Sequence, residues 1–290
     1  MKVASNKIAD IREYYSAQLK AVHAETESRF LVDSVISHYA DIPRLEIPIN
    51  LDRRVGESLL LKIHFAVKDL LRHRPLQYVL GEAEFCGLPF YVNEQVLIPR
   101  PETEQLIDLI IDSGSRLDEK TSILDLGTGS GCIAISLASQ LNSEVSAVDI
   151  SSEAIEIAKK NAVLNKVQVS FIKADLLSDN FENDLHNKYD VIVSNPPYVR
   201  NQEKQMMQKN VLDFEPELAL FVEDENPLIY YEAICRIASS LLNNKGVLWL
   251  EINEYLAEET LQLAKRYFST SILIKDYKGN YRFIQANQPI

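Results

Sequence analysis

The segment Ile123-Leu124-Asp125-Leu126-Gly127-Thr128-Gly129-Ser130-Gly131-Cys132 decides how this chain is read. An apolar run of strand character stops at a glycine. Two more glycines follow at alternate positions, and then a helical apolar pattern begins. The chain has only nine glycines, and three of them fall within these five residues. Glycine lets the backbone turn sharply and approach a ligand with no Cβ in the way. A glycine-rich turn between a strand and a helix is where open α/β sheets hold a nucleotide cofactor. Such a turn also suits close helix–strand packing, so its surroundings carry the argument.

Downstream of the turn, strands and helices alternate. Strand-like stretches lie at 121–126, 144–150, 167–173, 189–194, 245–252, 271–276 and 281–285, with helical patterns at 130–141, 152–165, 227–242 and 255–267. This alternation predicts a mostly parallel sheet covered on both faces, an α/β domain of Rossmann type. The last two strands are separated only by Tyr277-Lys278-Gly279-Asn280. That is too short for a helical crossover, so the last strand is expected to be antiparallel. Upstream, 84–98 reads as a β-hairpin of two short strands around Asn93-Glu94, and Pro99-Arg100-Pro101-Glu102-Thr103-Glu104 opens a helix with Pro101 at its first position. The first eighty or so residues read as helices at 6–22, 26–39 and 52–73. The last has Leu59, Leu60, Ile63, Val67, Leu70 and Leu71 near one face and is expected to stop at Pro75. The domain plan is therefore a helical bundle over 1–83, a hairpin linker over 84–98 and the α/β domain over 99–290.

Around the turn, Asp149 ends the second strand of the alternating region, where an acid binds ribose hydroxyls. Both NAD and S-adenosylmethionine carry an adenosine, so this pairing does not separate them. Asp125 does: an acid just before the first glycine is poorly placed for a pyrophosphate and well placed for a cationic ligand. Asp175-Leu176 follows the third strand, where an acid and an apolar residue suit the adenine amine and ring. The expected cofactor-binding set is Asp125, Gly127, Thr128, Gly129, Ser130, Gly131, Asp149, Asp175, Leu176 and Asn195.

Tyr189-Asp190-Val191-Ile192-Val193-Ser194 then runs straight into Asn195-Pro196-Pro197-Tyr198. One proline ends many strands; two, flanked by Asn and Tyr beside the cofactor strand, suggest chemistry. The nitrogen of an amide or aromatic amine is a poor nucleophile because its lone pair is delocalised. Attack on a sulfonium methyl requires that lone pair to localise while positive charge builds on the NH₂ group. Two fixed acceptors, the Asn195 side-chain oxygen and the Pro196 carbonyl, would stabilise that charge and aim the lone pair. Two locked φ angles hold the second acceptor, and Tyr198 offers an aromatic face to a planar amide or base. Asn195, Pro196, Pro197 and Tyr198 are thus the expected catalytic and substrate-binding residues.

Composition narrows the classes. The net charge of −12, with no segment rich in Lys and Arg, weighs against stable nucleic-acid binding. Three dispersed cysteines and five histidines without ligand spacing predict reduced thiols and no metal site. No apolar run is long enough to span a bilayer, and the start of the chain lacks a secretory pattern, so a cytoplasmic protein is expected.

Several motifs then recur together: Arg74-Pro75-Leu76-Gln77-Tyr78-x-x-Gly81, Phe85-x-Gly87-Leu88, Val96-Leu97-Ile98-Pro99-Arg100-Pro101-Glu102-Thr103-Glu104, the glycine turn and Asn195-Pro-Pro-Tyr198-Val199. Glu215-Pro216-x-Leu218-Ala219-Leu220, Glu251-Ile252 and Asp276-x-x-Gly279-x-x-Arg282 complete the set. With these the chain resembles, along nearly its whole length, the protein-(glutamine-N5) methyltransferases that modify peptide chain release factors. The resemblance implies a seven-stranded class I methyltransferase domain behind a helical substrate-docking domain, and S-adenosyl-L-methionine as cofactor. It also implies the glutamine of a release factor's Gly-Gly-Gln tip as acceptor. Asn-Pro-Pro-Tyr is shared with enzymes that methylate adenine or guanine amines, whereas the Ile-Pro-Arg-Pro-Glu-Thr-Glu stretch separates the chain from ribosomal-protein glutamine methyltransferases. Two departures stand out: Phe221-Val222-Glu223-Asp224-Glu225-Asn226 replaces a glycine-rich turn, and Asn253 replaces a glycine. A nicotinamide-dependent oxidoreductase or a non-catalytic cofactor-binding module would leave Asn195 to Tyr198 unexplained.

Overall fold

The computed structural model describes residues 3–113, 121–141, 143–179, 181, 185 and 187–290. The chain divides into two compact units, Met1–Gly81 with Gln208–Phe214, and Glu82–Met207 with Glu215–Ile290.

The first unit is helical. α1 (Ile8–Leu19), α2 (Glu25–Ala40), α3 (Glu57–Leu70) and the short α4 (Leu76–Leu80) follow in order. Ile8, Ile11 and Tyr15 of α1, Val32, Val35 and Ile36 of α2, and Ile63, Val67 and Leu70 of α3 form one core. α3 starts five residues later than its apolar pattern suggests, behind Gly56. Ahead of it Leu51 and Asp52 form a turn, and Arg54 makes an isolated bridge to Lys7. It also stops at Leu70, before Pro75, because His73 takes a left-handed φ of 65°. Pro75 does not end a helix here. It caps the start of α4, where a proline loses no helical hydrogen bond.

The second unit opens with a hairpin of β1 (Glu82–Phe85) and β2 (Leu88–Tyr91). Its turn is Cys86-Gly87, with φ of 50° and 72°, and not Asn93-Glu94 as the sequence reading had it. Two positive φ values in a two-residue loop match the right-handed twist of the strands, and glycine adopts such a value without strain. Val92, Val96 and Ile98 are buried without being in a strand, which is why their alternation reads as one.

α5 (Pro101–Asp112) follows, with Pro101 in its first turn beside Glu102 and Glu104. Then come β3 (Ser122–Leu126), α6 (Cys132–Leu141), β4 (Glu144–Asp149), α7 (Ser152–Leu164), β5 (Ser170–Lys173) and β6 (Tyr189–Ser194). β7 (Val199–Arg200), α8 (Lys209–Phe214, part of the first unit) and β8 (Phe221–Val222) lead to α9 (Ile229–Leu241) and β9 (Leu242–Glu251). α10 (Ala257–Ala264), β10 (Phe268–Lys275) and β11 (Tyr281–Pro289) complete the chain.

Seven strands form one sheet in the order β10-β11-β9-β6-β3-β4-β5. β11 runs antiparallel to both of its neighbours, and the β9-β6-β3-β4-β5 pairings are all parallel, so the expected fold class stands. The chain proceeds from β3 outward to β4 and β5, then returns to the other side of β3 as β6. The cleft between two loops that leave in opposite directions is the switch point of the sheet. Pairing of Leu126 with Ser194 makes the β3 and β6 exits start level with each other.

The glycine turn needs its glycines. Gly127, Gly129 and Gly131 have φ of 78°, 55° and 82°. A Cβ at Gly127 would meet nothing within 4 Å, but one at Gly131 would lie 2.9 Å from Ile135 Cδ1 and 3.1 Å from Ala158 Cβ of α7. Gly127→Ala is therefore expected to lose about 1–2 kcal/mol from backbone strain alone. Gly131→Ala should lose a further ~1–3 kcal/mol, because α7 has to move. Urea unfolding of both variants checks the order, and equal losses would show that α7 does not press on the turn.

Candidate active site

A cleft of about 250 Å³ lies at the carboxyl ends of β3, β4 and β6. Of the residues expected from sequence, Gly127, Thr128, Gly129, Ser130, Asp149, Asp175, Leu176, Asn195 and Pro197 line it. Asp125, Gly131, Pro196 and Tyr198 are not among its lining residues.

Asp125 is buried beneath the turn, where it accepts the Thr128 hydroxyl at 2.6 Å. Its other oxygen, Oδ1, is buried without a hydrogen-bond partner among the described residues. Burial pushes its carboxyl up to about 7, against the pull of the Thr128 hydroxyl. Asp149 accepts the Gly129 N–H at 2.8 Å through Oδ2 and the Ser151 N–H at 2.9 Å through Oδ1. Burial raises its pKa as well. Each carboxylate oxygen has a second lone pair, so these bonds orient Asp149 and leave it able to accept hydroxyls. Asp175 accepts the Leu177 N–H at 2.9 Å, which fixes the loop that carries Leu176.

Asn195 leaves β6 directly opposite the glycine turn. Its Nδ2 donates to Thr103 Oγ1 of α5 at 3.1 Å. The Thr103 hydroxyl donates to Glu251 Oε2 at 2.7 Å, and the Tyr198 hydroxyl donates to Glu251 Oε1 at 3.1 Å. Tyr198 thus packs against the core and turns its hydroxyl to buried Glu251. Burial and the neighbouring Glu251 hold its pKa far above the usual phenol range, so it remains a donor.

Several cleft residues belong to the motifs above but carry no local signal of a role in the site. Val96, Leu97, Pro99, Arg100 and Thr103 line one wall, and Pro216, Leu218 and Ala219 another. The two walls are tied by Arg100 Nη2 donating to buried Glu215 at 2.6 Å. Tyr230 also lines the cleft, and nothing in its local sequence marks it. Both departures noted above touch the chain just after Tyr198. Asn253 is buried, and its Nδ2 donates to the Tyr198 carbonyl at 3.0 Å and to Glu203 at 2.9 Å. Glu223 and Asp224 accept from Asn201 and Gln202, and β8 pairs with β7. Among the described residues there is no cluster of His, Cys, Asp and Glu fit to hold a metal. No described helix is long and apolar enough to cross a membrane.

Comparison with known proteins places this architecture. The Methyltransferase small domain family matches residues 108–214. The chain is 43% identical to the release factor glutamine methyltransferase of Flavobacterium psychrophilum, over 97% of this chain and 99% of that one. It is 38% identical to the release factor glutamine methyltransferase of Bacteroides thetaiotaomicron, over 96% and 99%. Among solved structures, the Thermus thermophilus 16S rRNA N2 methyltransferase in complex with AdoMet and guanosine superposes with a TM-score of 0.51. It is 17% identical and covers 71% of this chain and 49% of that one, a likeness of fold alone.

The state of Asp125 has a measurable consequence. Its carboxyl holds a proton in the folded chain up to about pH 7, whereas an unfolded aspartate releases it near pH ~4. Between those values the folded state binds the extra proton, so this residue lowers stability progressively as pH rises from about 4 to about 7. Asp149 acts in the same direction. Asp125→Asn is expected to lose less stability than wild type between pH 5 and pH 8. Urea unfolding at both pH values, without added ligand, checks it; parallel pH trends would mean Asp125 ionises normally.

Proposed function

The chain belongs to the release factor glutamine methyltransferase family, and from that premise we propose that it methylates the side-chain amide nitrogen of the glutamine in the Gly-Gly-Gln motif of peptide chain release factors. The observation that carries this reading is that Asn195 and the glycine turn line one cleft. An acceptor for an NH₂ group and a cradle for a nucleoside cofactor therefore meet at a single point of the sheet.

The residues present fit S-adenosylmethionine. Space is open above Gly127 and Gly129. Asp149 faces the cleft with its carboxylate already oriented, as ribose hydroxyls require. Ile150, Ala154 and Leu176 offer apolar lining for an adenine beside Asp175. Bound there, the cofactor supplies a methyl group made electrophilic by its sulfonium.

The protein's own part is positioning and charge. Asn195, on the cleft wall, accepts one N–H of the acceptor amide, and we assign the other to the Pro196 carbonyl, although Pro196 is not among the lining residues; together they localise the lone pair. The amide nitrogen becomes acidic only as it is methylated, so no general base has to act first. Arg100, neutralised by Glu215, shapes the cleft mouth without adding a free charge. Pro216 and Leu218 give that mouth an apolar rim against which a small side chain can dock. A glutamine side chain offers few atoms to grip, so selectivity among glutamines has to come from remote contacts. We assign that task to the helical unit Met1–Gly81, whose described residues add no strand to the sheet. A cytoplasmic setting belongs to the same reading, since the substrate is a translation factor and Cys86, Cys132 and Cys235 are free thiols.

Asn195→Ala tests the acceptor role. Turnover on intact release factor is expected to fall by ~10²–10³, while calorimetry shows cofactor affinity largely kept. A variant that retains more than about a tenth of wild-type kcat would remove Asn195 from the chemistry. Efficient methylation of bare oligonucleotides by the wild-type chain would replace the protein substrate with a nucleic acid.

A further inference from the structure

An asparagine amide is nearly symmetric in shape but opposite in chemistry at its two ends. Its oxygen accepts and its nitrogen donates. The reading above requires the oxygen of Asn195 to face the acceptor NH₂. If the amide were turned over, two donors would face two donors and the site would repel its substrate. Something has to hold the amide one way round, and Asn195, being only partly buried, is not held by packing alone.

We infer that Thr103, Glu251 and Tyr198 form a buried relay that fixes the direction of the Asn195 amide. Thr103 Oγ1 lies 2.7 Å from Glu251 Oε2. Two oxygens approach that closely only with a proton between them, and the Thr103 hydroxyl is its donor. The single proton of the Thr103 hydroxyl is therefore committed to Glu251. With its proton spent, Thr103 can only accept from its other neighbour, 3.1 Å away on Asn195. That end of the amide has to be Nδ2, and Oδ1 turns to the cleft.

Glu251 is the anchor because it accepts from two hydroxyls at once, Thr103 on Oε2 and Tyr198 on Oε1. It is buried at the end of β9. Burial raises its carboxyl, against the pull of the Thr103 and Tyr198 hydroxyls and the Arg282 guanidinium. Arg282 is itself set by the Ile252 carbonyl at 3.3 Å and by Asp276. Thr103, Glu251 and Arg282 thus come from α5, β9 and β11, and none needs to touch a reacting atom. They are positioning residues, and their effect passes through Asn195.

This inference rests on the proposed function, and the test separates the two. Full-length wild type, Thr103→Ser and Thr103→Val are compared on intact release factor. Valine keeps the shape and removes the hydroxyl, whereas serine keeps the hydroxyl. Thr103→Val is expected to lower kcat by about 10–100-fold, the range for misdirecting one acceptor, with KM for the release factor and cofactor affinity within about threefold. Thr103→Ser should stay within about threefold of wild type throughout. A Thr103→Val kcat within about fivefold of wild type, or an equal loss in Thr103→Ser, overturns the relay. A readout without turnover accompanies it. In protein labelled with ¹⁵N-asparagine, the Asn195 side-chain NH₂ should be protected from exchange in wild type and Thr103→Ser and unprotected in Thr103→Val. An unchanged signal in Thr103→Val counts against the relay even if release factor proves not to be the substrate. Failure of wild type to methylate release factor, with the NMR pattern as expected, counts against the substrate alone.

Discussion

The hydroxyl of Ser194 donates to the carbonyl of Leu126 at 2.6 Å, on the last rung that joins β6 to β3. Both residues are fully buried. Beyond that rung the strands part, and a carbonyl left without a ladder partner in an apolar sheet would cost about 1–3 kcal/mol. The Ser194 side chain gives the Leu126 carbonyl a buried donor at the last rung of this pairing. The glycine turn begins one residue later on one strand and Asn195 one residue later on the other. A one-residue slip in this pairing would turn Ser194 and the side chains before it to the opposite face. It would also separate the glycine turn from Asn195, so the cleft they line inherits its geometry from this register.

Three strands carry an acid at or next to their carboxyl ends: buried Asp125 on β3, half-buried Asp149 on β4 and buried Glu251 on β9. Burial raises the pKa of all three. Each spends its acceptors on the loop beside it. Asp125 holds Thr128, Asp149 holds the Gly129 and Ser151 N–H groups, and Glu251 holds Thr103 and Tyr198. A buried acid with an unpartnered oxygen, as Asp125 has in Oδ1, lowers stability, and sites of function are where that cost is tolerated. Here the three acids hold the glycine turn, the start of the segment after β4, and the α5 and Asn-Pro-Pro-Tyr side chains in place.

What was legible in the sequence follows the reach of the signals. The glycine turn and the Asn-Pro-Pro-Tyr corner were visible because a local conformation demands those residues. The seven strands were visible because a sheet covered on both faces imprints continuous apolar runs. The hairpin was found but its turn misplaced, since Cys86 carries no turn signal and the buried Val92 and Val96 mimic a strand. β9 begins at Leu242, earlier than expected, across a register shift opposite Tyr189 that no pattern announces. The supports of the site lay beyond reach for a different reason. Thr103 is 92 residues from Asn195, and Asn195 and Glu251 meet only through it. Such bonds are set by the fold, not by spacing. Motif resemblance marked Thr103 and Glu251 as belonging to a pattern, but only the structure gives them partners.

The two departures from the family pattern, Asn253 and the acidic stretch after Val222, converge on one short segment. Asn253 binds the Tyr198 carbonyl and Glu203, while Glu223 and Asp224 bind Asn201 and Gln202. This chain therefore braces the exit of its Asn-Pro-Pro-Tyr corner with side chains of its own and leaves the corner itself intact. The account stands or falls on where the methyl group goes. Intact release factor incubated with the full chain and methyl-labelled S-adenosylmethionine, then sequenced by tandem mass spectrometry, reads that directly. A single labelled methyl on the side-chain amide of the Gly-Gly-Gln glutamine is the predicted result. Label on any other residue, or none on the release factor, would contradict it.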